Sequence, residues 1–193
     1  MPGENATSLS LLQRVRTRDA AAWERLVALY GPLVRYWCLR GGARPEDADD
    51  LGQEVFLAVA GGVEDFQRRG EGGFRSWVRG ITRHKLLDFY RRRDRLAGAG
   101  VGGTDACAAL REIPDPEDDS AEAQEMGVLY RRALDLIRGE FEERTWLAFW
   151  RVGVEEQDTA AVAASLGMTP VAVRIAKSRV LARLRQEAGE LIE

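Results

Sequence analysis

The feature that most limits how this chain can fold is the stretch LAGAGVGGTDACAALREIPDPEDDSAEAQ, residues 96–124. It is rich in Gly, Ala, Asp and Glu, holds Pro114 and Pro116, and sustains no apolar period of 3.6 or 2. Such a stretch reads as a flexible acidic linker between two domains. The 193-residue chain then divides into an N-terminal domain, 1–96, a linker, 97–122, and a C-terminal domain, 123–193. Each domain is small, so its core is marginal but sufficient. Apolar residues at 45% and charged residues at 31% supply enough material for such cores and argue against wholesale disorder.

Both flanks read as helical. No stretch alternates with period two, and turn-bounded Val/Ile clusters are missing. The expected fold class is all-α. Four helices are expected before the linker, at Leu9–Thr17, Ala20–Arg40, Pro45–Ala60 and Gly73–Arg95. Four more are expected after it, at Ala121–Gly139, Glu142–Gly153, Asp158–Leu166 and Pro170–Ala188. Gly31-Pro32 is a candidate break in the second helix. Gly41-Gly42 ends that helix, and Pro45 suits the first turn of the next.

The formal net charge of −3 hides three biased windows. Arg68 to Arg95 carries ten basic residues against three acidic ones, Asp105 to Glu125 carries one Arg against eight acids, and Pro170 to Arg185 carries five basic residues and no acid. Two basic segments thus flank an acidic one. Phosphate responds to local charge density, so each basic segment is a candidate nucleic-acid footprint, against the plainer reading of a solvated helix face.

Several classes are excluded. Cys38 and Cys107 make no disulfide framework and have no zinc-ligand spacing, and one histidine, His84, excludes a multi-His metal site. The N-terminus lacks a basic start followed by an apolar run, and no apolar run approaches the ~18 residues of a membrane span. A soluble cytoplasmic protein is expected, with no membrane segment. No Ser/His/Asp triad, Gly-rich phosphate loop or activated Cys is present, so no catalytic residue and no cofactor are expected.

Three segments carry chemistry. In Gly73–Arg95, helical spacing puts Phe74, Trp77, Val78, Ile81 and Phe89 on a core face. Arg75, Arg79 and Arg83 form a stripe elsewhere, with Tyr90 on the same side, and Arg91, Arg92, Arg93 and Arg95 follow. Only Asp88 and Asp94 lie nearby, so most of this charge lacks a local partner. Arginines with an aromatic among them suit a phosphate backbone and stacked bases, above all where a strand is unpaired.

In Glu46–Ala60, Ala48, Leu51, Val55 and Val59 share one face, and Asp50, Gln53, Glu54 and Leu57 lie opposite. A leucine rimmed by acids and an amide suits a protein-binding face; the alternatives are a solvated face with one stray leucine, or a metal cluster from Asp47, Asp50 and Glu54.

In Asp158–Arg185, a short helix ends at Leu166, Gly167 permits a tight turn, Thr169 can cap and Pro170 opens the next helix. Val162, Leu166, Val173, Val180 and Leu184 supply the seam. This is a helix-turn-helix pattern, whose second helix can enter a major groove. Arg174 and Ser178 point outward, Arg179 and Arg183 lie to one side, and Lys177 near the seam can snorkel out.

In this order the segments resemble an extracytoplasmic-function (ECF) sigma factor of bacterial RNA polymerase, over about residues 9–96 and 123–187. PEDADDLGQEVFLAV resembles region 2.2, FRSWVRGITRHKLLDFYRRR resembles regions 2.3 and 2.4, and the helix-turn-helix resembles region 4.2. TWLAFWRVGVEEQDTA and VRIAKSRVLARL fit a divergent subgroup. The resemblance implies two partners, core RNA polymerase and promoter DNA, with an anti-sigma factor as a further possibility. Asp50, Gln53, Glu54 and Leu57 would meet the clamp helices of the largest polymerase subunit. The loop Asp65 to Gly73 and Arg75, Arg79, Arg83 and Tyr90 would read and open the minus-ten element, with Arg91, Arg92 and Arg93 on phosphates. Thr169, Arg174, Lys177, Ser178 and Arg179 would meet the minus-thirty-five element. The sequence departs from the family at Gly52, at His84-Lys85, and at Ile175 and Ala176, where polar or basic residues are common; the last departure shifts weight there toward shape and phosphate contacts.

Two other readings compete. One is a stand-alone helix-turn-helix regulator that binds duplex DNA without polymerase. The other is a carboxylate-cluster, metal-dependent nucleotide hydrolase.

Overall fold

The computed structural model describes residues 10–67, 73–96 and 119–192, and every regular element among them is helical. The order is α1 Leu11–Arg16, α2 Ala20–Arg40, α3 Pro45–Gly62, α4 Gly73–Leu96, α5 Asp119–Arg138, α6 Glu143–Gly153, α7 Thr159–Leu166 and α8 Pro170–Ile192. These match the expected helices within a few residues. Most of the expected linker lies outside the described residues, but its last four, 119–122, belong to α5.

Local chemistry sets the boundaries. Ser10 and Gln13 form a reciprocal capping box at α1. Asp19 caps α2 through the backbone N–H of Ala22. Pro45 opens α3, where its missing N–H costs nothing, and Glu46 and Asp47 complement the helix dipole. Between α2 and α3 the chain turns at Gly42, whose φ of +85° L side chains rarely adopt.

Gly31-Pro32 does not break α2, which runs unbroken from Ala20 to Arg40. Proline at position 32 cannot donate to the carbonyl of Ala28, one turn earlier, which would leave that acceptor orphaned. Arg132 of α5 fills the gap, its Nε donating to Ala28 O at 2.9 Å. A residue a hundred positions away thus repairs a helix that its own sequence interrupts.

Most buried side chains belong to one core. Leu26, Leu29, Tyr30, Leu33, Val34, Trp37 and Cys38 of α2 lie at its centre. Leu51, Val55 and Val59 of α3 and Phe74, Val78 and Leu86 of α4 pack there too. From the C-terminal segment, Leu129 and Ile137 of α5, Trp146 of α6 and Val180, Leu184 and Leu191 of α8 join the same core. A second, smaller core (Ala148, Val162, Ala163, Val173 and Ala176) holds α6, α7 and the first half of α8 together. In this arrangement α5 and the second half of α8 therefore cover the four-helix N-terminal segment. Burial pushes the Cys38 thiol up to about 12, which leaves it an inert core residue.

Candidate nucleic-acid and partner interfaces

Three surfaces correspond to the three informative segments. The first is the outer face of α3. Leu51, Val55 and Val59 turn inward, and Asp50, Gln53 and Leu57 turn to solvent. Leu57 is 73% exposed, the most open large apolar side chain among the described residues. Glu54 is half-buried and engaged: Arg92 Nη2 donates to both carboxylate oxygens at 3.1 Å, and Lys85 stands 3.6 Å away. Glu54 therefore faces two cations of α4. No group of three or more His, Cys, Asp or Glu among the described residues is arranged to hold a metal.

The second surface is α4, and here the structure corrects the sequence reading. The expected core face is as predicted: Phe74 and Val78 are buried, and Trp77, Ile81 and Phe89 pack against the core. Most of the positive charge, however, has an internal partner. Arg75 and Arg79 are buried at 9% and 8% exposure, not open to DNA. Arg75 Nη1 meets Glu125 Oε2 at 2.7 Å, and Arg79 Nη2 meets Glu125 Oε1 at 3.2 Å. Trp37 Nε1 donates to the same Oε1 at 2.8 Å, and the Arg79 guanidinium lies 5.8 Å from the Trp37 ring centroid. One carboxylate from the start of α5 thus gathers three donors from α2 and α4. Burying two guanidinium ions needs such pairing, because an unpaired charge in that position would be costly.

Tyr90 is likewise not an open stacking ring. It is 4% exposed, and its hydroxyl donates to Gly41 O at 2.6 Å. A Cβ at Gly42 would sit 2.9 Å from that hydroxyl oxygen, so the tyrosine and the glycine turn are fitted to each other. Burial raises the Tyr90 pKa, and the nearby Arg93 only partly offsets this. Tyr90 is a structural pin between α4 and the α2–α3 turn.

The arginines that remain open on α4 are Arg83, Arg91, Arg92, Arg93 and Arg95. Arg92 is shared with Glu54, and Arg93 stacks at 5.0 Å over Tyr90 and 5.9 Å over Phe89. Arg83 has no ion-pair partner among the described residues. Arg68 and Arg69 lie outside those residues. At the N-terminal end of α4, a cavity of about 540 Å³ is lined by Gly62, Asp65, Phe66, Gln67, Gly73, Ser76 and Trp77. It borders the loop expected to capture a base, of which residues 68–72 lie outside the described residues.

The third surface is the α7–α8 pair. Asp158 caps α7 through the N–H groups of Ala160 and Ala161, Gly167 makes the turn at φ +59°, and Thr169 Oγ1 accepts from Ala172 N to cap α8. The chain bends by 101° between the two helices, the range of a helix-turn-helix. Neither of them, nor any other single described helix, is long and apolar enough to cross a membrane. Arg174, Ser178 and Arg179 are exposed and Lys177 is half-buried. Arg183 instead turns to Glu140 at 2.6 Å and Glu187 at 2.7 Å. Ala176, a departure from polarity in the sequence, is 3% exposed and fills the small core.

Sequence reasoning missed four residues that fix these surfaces. Glu125 masks Arg75 and Arg79, and Arg132 serves Ala28. Glu140 and Glu187 bind Arg25 of α2, which joins α8 to the N-terminal segment. Tyr30 adds a hydrogen bond from its hydroxyl to Leu191 O. An acidic window opposite a basic one was the only signal for Glu125; nothing local marks the other three.

The Sigma-70 region 2 family matches residues 26–96. The chain is 33% identical over 191 residues to the ECF RNA polymerase sigma factor ShbA of Streptomyces griseus subsp. griseus, covering 94% of this chain and 95% of that protein. It is 30% identical over 161 residues to ECF RNA polymerase sigma factor SigE of Mycolicibacterium smegmatis, covering 82% of this chain and 59% of SigE. It is 29% identical over 165 residues to ECF RNA polymerase sigma factor SigD of Mycobacterium tuberculosis, covering 80% of this chain and 71% of SigD.

Proposed function

The chain belongs to the ECF RNA polymerase sigma factors, which bind core RNA polymerase and promoter DNA to direct transcription initiation, and from this membership we propose how its surfaces divide the work. The outer face of α3 docks on the clamp helices of the largest polymerase subunit. Leu57 is the apolar anchor, and Asp50, Gln53 and Glu54 form its charged rim. The observation that carries this assignment is the 73% exposure of Leu57 on a face otherwise made of acids and an amide.

α4 meets the minus-ten element. In the packed arrangement Arg83, Arg91, Arg92, Arg93 and Arg95 are the arginines of α4 that can reach phosphate. Arg75 and Arg79 join them only when α5 withdraws Glu125, because a side chain under one-tenth exposed cannot contact a duplex. The cavity beside Phe66 and Trp77 would receive an unstacked base, which offsets the few kcal/mol that flipping costs. The division into 1–96, 97–122 and 123–193 is proposed as the division of work, with the second domain on the minus-thirty-five element.

The test is promoter opening by the chain reconstituted with bacterial core polymerase, read by permanganate reactivity of unpaired thymines. Arg83→Ala with Arg91→Ala is expected to lower opening while core binding persists. Undiminished opening would refute the minus-ten assignment. A stand-alone regulator would instead bind the same promoter fully without core.

A further inference from the structure

The exposed face of α8 is not only cationic. Its open stripe at helical spacing is Val171, Arg174, Ile175, Ser178 and Ala182, all exposed. Val171 is 59% exposed and Ile175 is 53% exposed. The opposite stripe, Val173, Ala176, Val180 and Leu184, is buried. The two β-branched apolar side chains therefore have no packing role in the fold, although the core-facing positions of the same helix are filled.

Their surroundings specify what covers them. The 28 residues from Thr159 to Gln186 contain no acid. Arg174 and Arg179 have no ion-pair partner among the described residues and lie beside the apolar pair. The other half of α8 is occupied by the core, so the packed arrangement leaves this face open. An apolar pair flanked by two arginines, on a helix face that carries no acid, suits a polyanion that also presents apolar groups. In the major groove of DNA the one bulky apolar group on offer is the C5 methyl of thymine, set among donors and acceptors.

We propose that Ile175, with Val171 one turn before it, reads thymine methyl groups in the promoter's minus-thirty-five element, so that specificity there rests on apolar contact as well as on Arg174. This inference rests on the assignment of α8 to that element. Residues four apart on a helix are about 6 Å apart along its axis, so the pair can span methyls on neighbouring or next-but-one base pairs. A larger polar residue at 175 would hydrogen-bond a base edge and reject the methyl. An isoleucine does the reverse, since a cytosine or deoxyuridine in the same place offers a bare C5–H where thymine offers a methyl group to bury.

The experiment uses the chain assembled with core polymerase. Duplexes randomised across the minus-thirty-five element are selected by this holoenzyme, and each thymine of the selected element is then replaced singly by deoxyuridine. That substitution removes one methyl and keeps every hydrogen-bonding group. At one or more positions the wild-type holoenzyme is expected to bind about fourfold more weakly, the effect of losing one buried methyl. Ile175→Ala is expected to lower binding to the thymine duplex by at least as much and to abolish the thymine–deoxyuridine difference, with an unchanged circular-dichroism spectrum. Ile175→Val is expected to retain the difference. A selected element in which no deoxyuridine replacement changes binding overturns the inference, as does an Ile175→Ala holoenzyme that keeps the full difference. If Arg174→Ala still weakens binding in those cases, the assignment of α8 to the element survives. A selection with no preference across the element removes that assignment itself.

Discussion

Glu125→Ala is the most informative single change the structure suggests. Its side chain is 1% exposed and meets Arg75 at 2.7 Å and Arg79 at 3.2 Å. Trp37 donates to it at 2.8 Å. Removal takes the shared carboxylate away from two buried guanidinium groups and an indole N–H. Breaking a buried pair by deleting one partner costs about 3–5 kcal/mol, most of it the penalty for the charge left behind. For a chain of this size that corresponds to a fall in Tm of roughly 6–20 °C. Glu125→Gln keeps an acceptor but not the charge, so it should lose less. Glu125→Ala combined with Arg75→Met and Arg79→Met should recover much of the loss, because apolar replacement of a buried ionic group is often neutral or stabilising. Calorimetry reads the stability of these variants, and small-angle scattering reads whether α5 and α8 come away from the N-terminal helices. If Glu125→Ala releases rather than unfolds the chain, the free protein should bind single-stranded DNA more tightly. Two newly available arginines would steepen the salt dependence by about 1.4, at roughly 0.7 per phosphate on a single strand. A stability loss under about 1 kcal/mol, with no expansion and no gain in DNA binding, would refute the reasoning.

Two further predictions follow from particular contacts. Tyr90→Phe removes the donor to the Gly41 carbonyl and should cost about 1–3 kcal/mol in urea denaturation, whereas stacking on DNA as its main role would predict unchanged stability and weaker promoter opening. Burial opposes ionisation of Glu140, but hydrogen bonds from Arg183 and Arg25 prevail and hold its carboxyl below the ordinary 4.5. A folded value below the unfolded one stabilises the protein above about pH 4.5, and that contribution is lost as pH falls through the folded value. Glu140→Gln should therefore be less stable than wild type near neutrality and converge with it in acid. Parallel stability curves from pH 7 to 3 would contradict the assignment.

What the sequence disclosed and what it hid follow from the range of the interactions. The α7–α8 turn was legible because Asp158, Gly167, Thr169 and Pro170 act within three or four residues of where they stand. The inward face of α4 was legible from the spacing of Phe74, Trp77 and Val78 for the same reason. The fate of Arg75 and Arg79 was not, because their partner is 50 and 46 residues away, at the end of the acidic window and inside the second expected domain. Helical spacing assigned them a face; it carried no information that another helix would cover that face. Pro32 misled in the opposite direction. Its local rule predicts a break, and the break is cancelled by Arg132, 104 residues from Ala28. Long-range pairing of charges also explains Glu54, whose outward position on α3 was read correctly but whose engagement by Arg92 was not.

That engagement decides how the polymerase-binding face is best tested. Glu54→Lys would place a third cation beside Arg92 and Lys85, so its effect would mix lost docking with local repulsion. Leu57→Asp is cleaner, because Leu57 is 73% exposed and contributes little to the fold. The decisive measurement is a fluorescence titration of bacterial core RNA polymerase with the wild-type chain and with Leu57→Asp, in competition with another sigma factor. The account predicts tight competitive binding by wild type. It also predicts at least about a tenfold loss for Leu57→Asp, the mark of an interface residue worth more than 1 kcal/mol, with an unchanged Tm. Wild-type affinity in Leu57→Asp would contradict it.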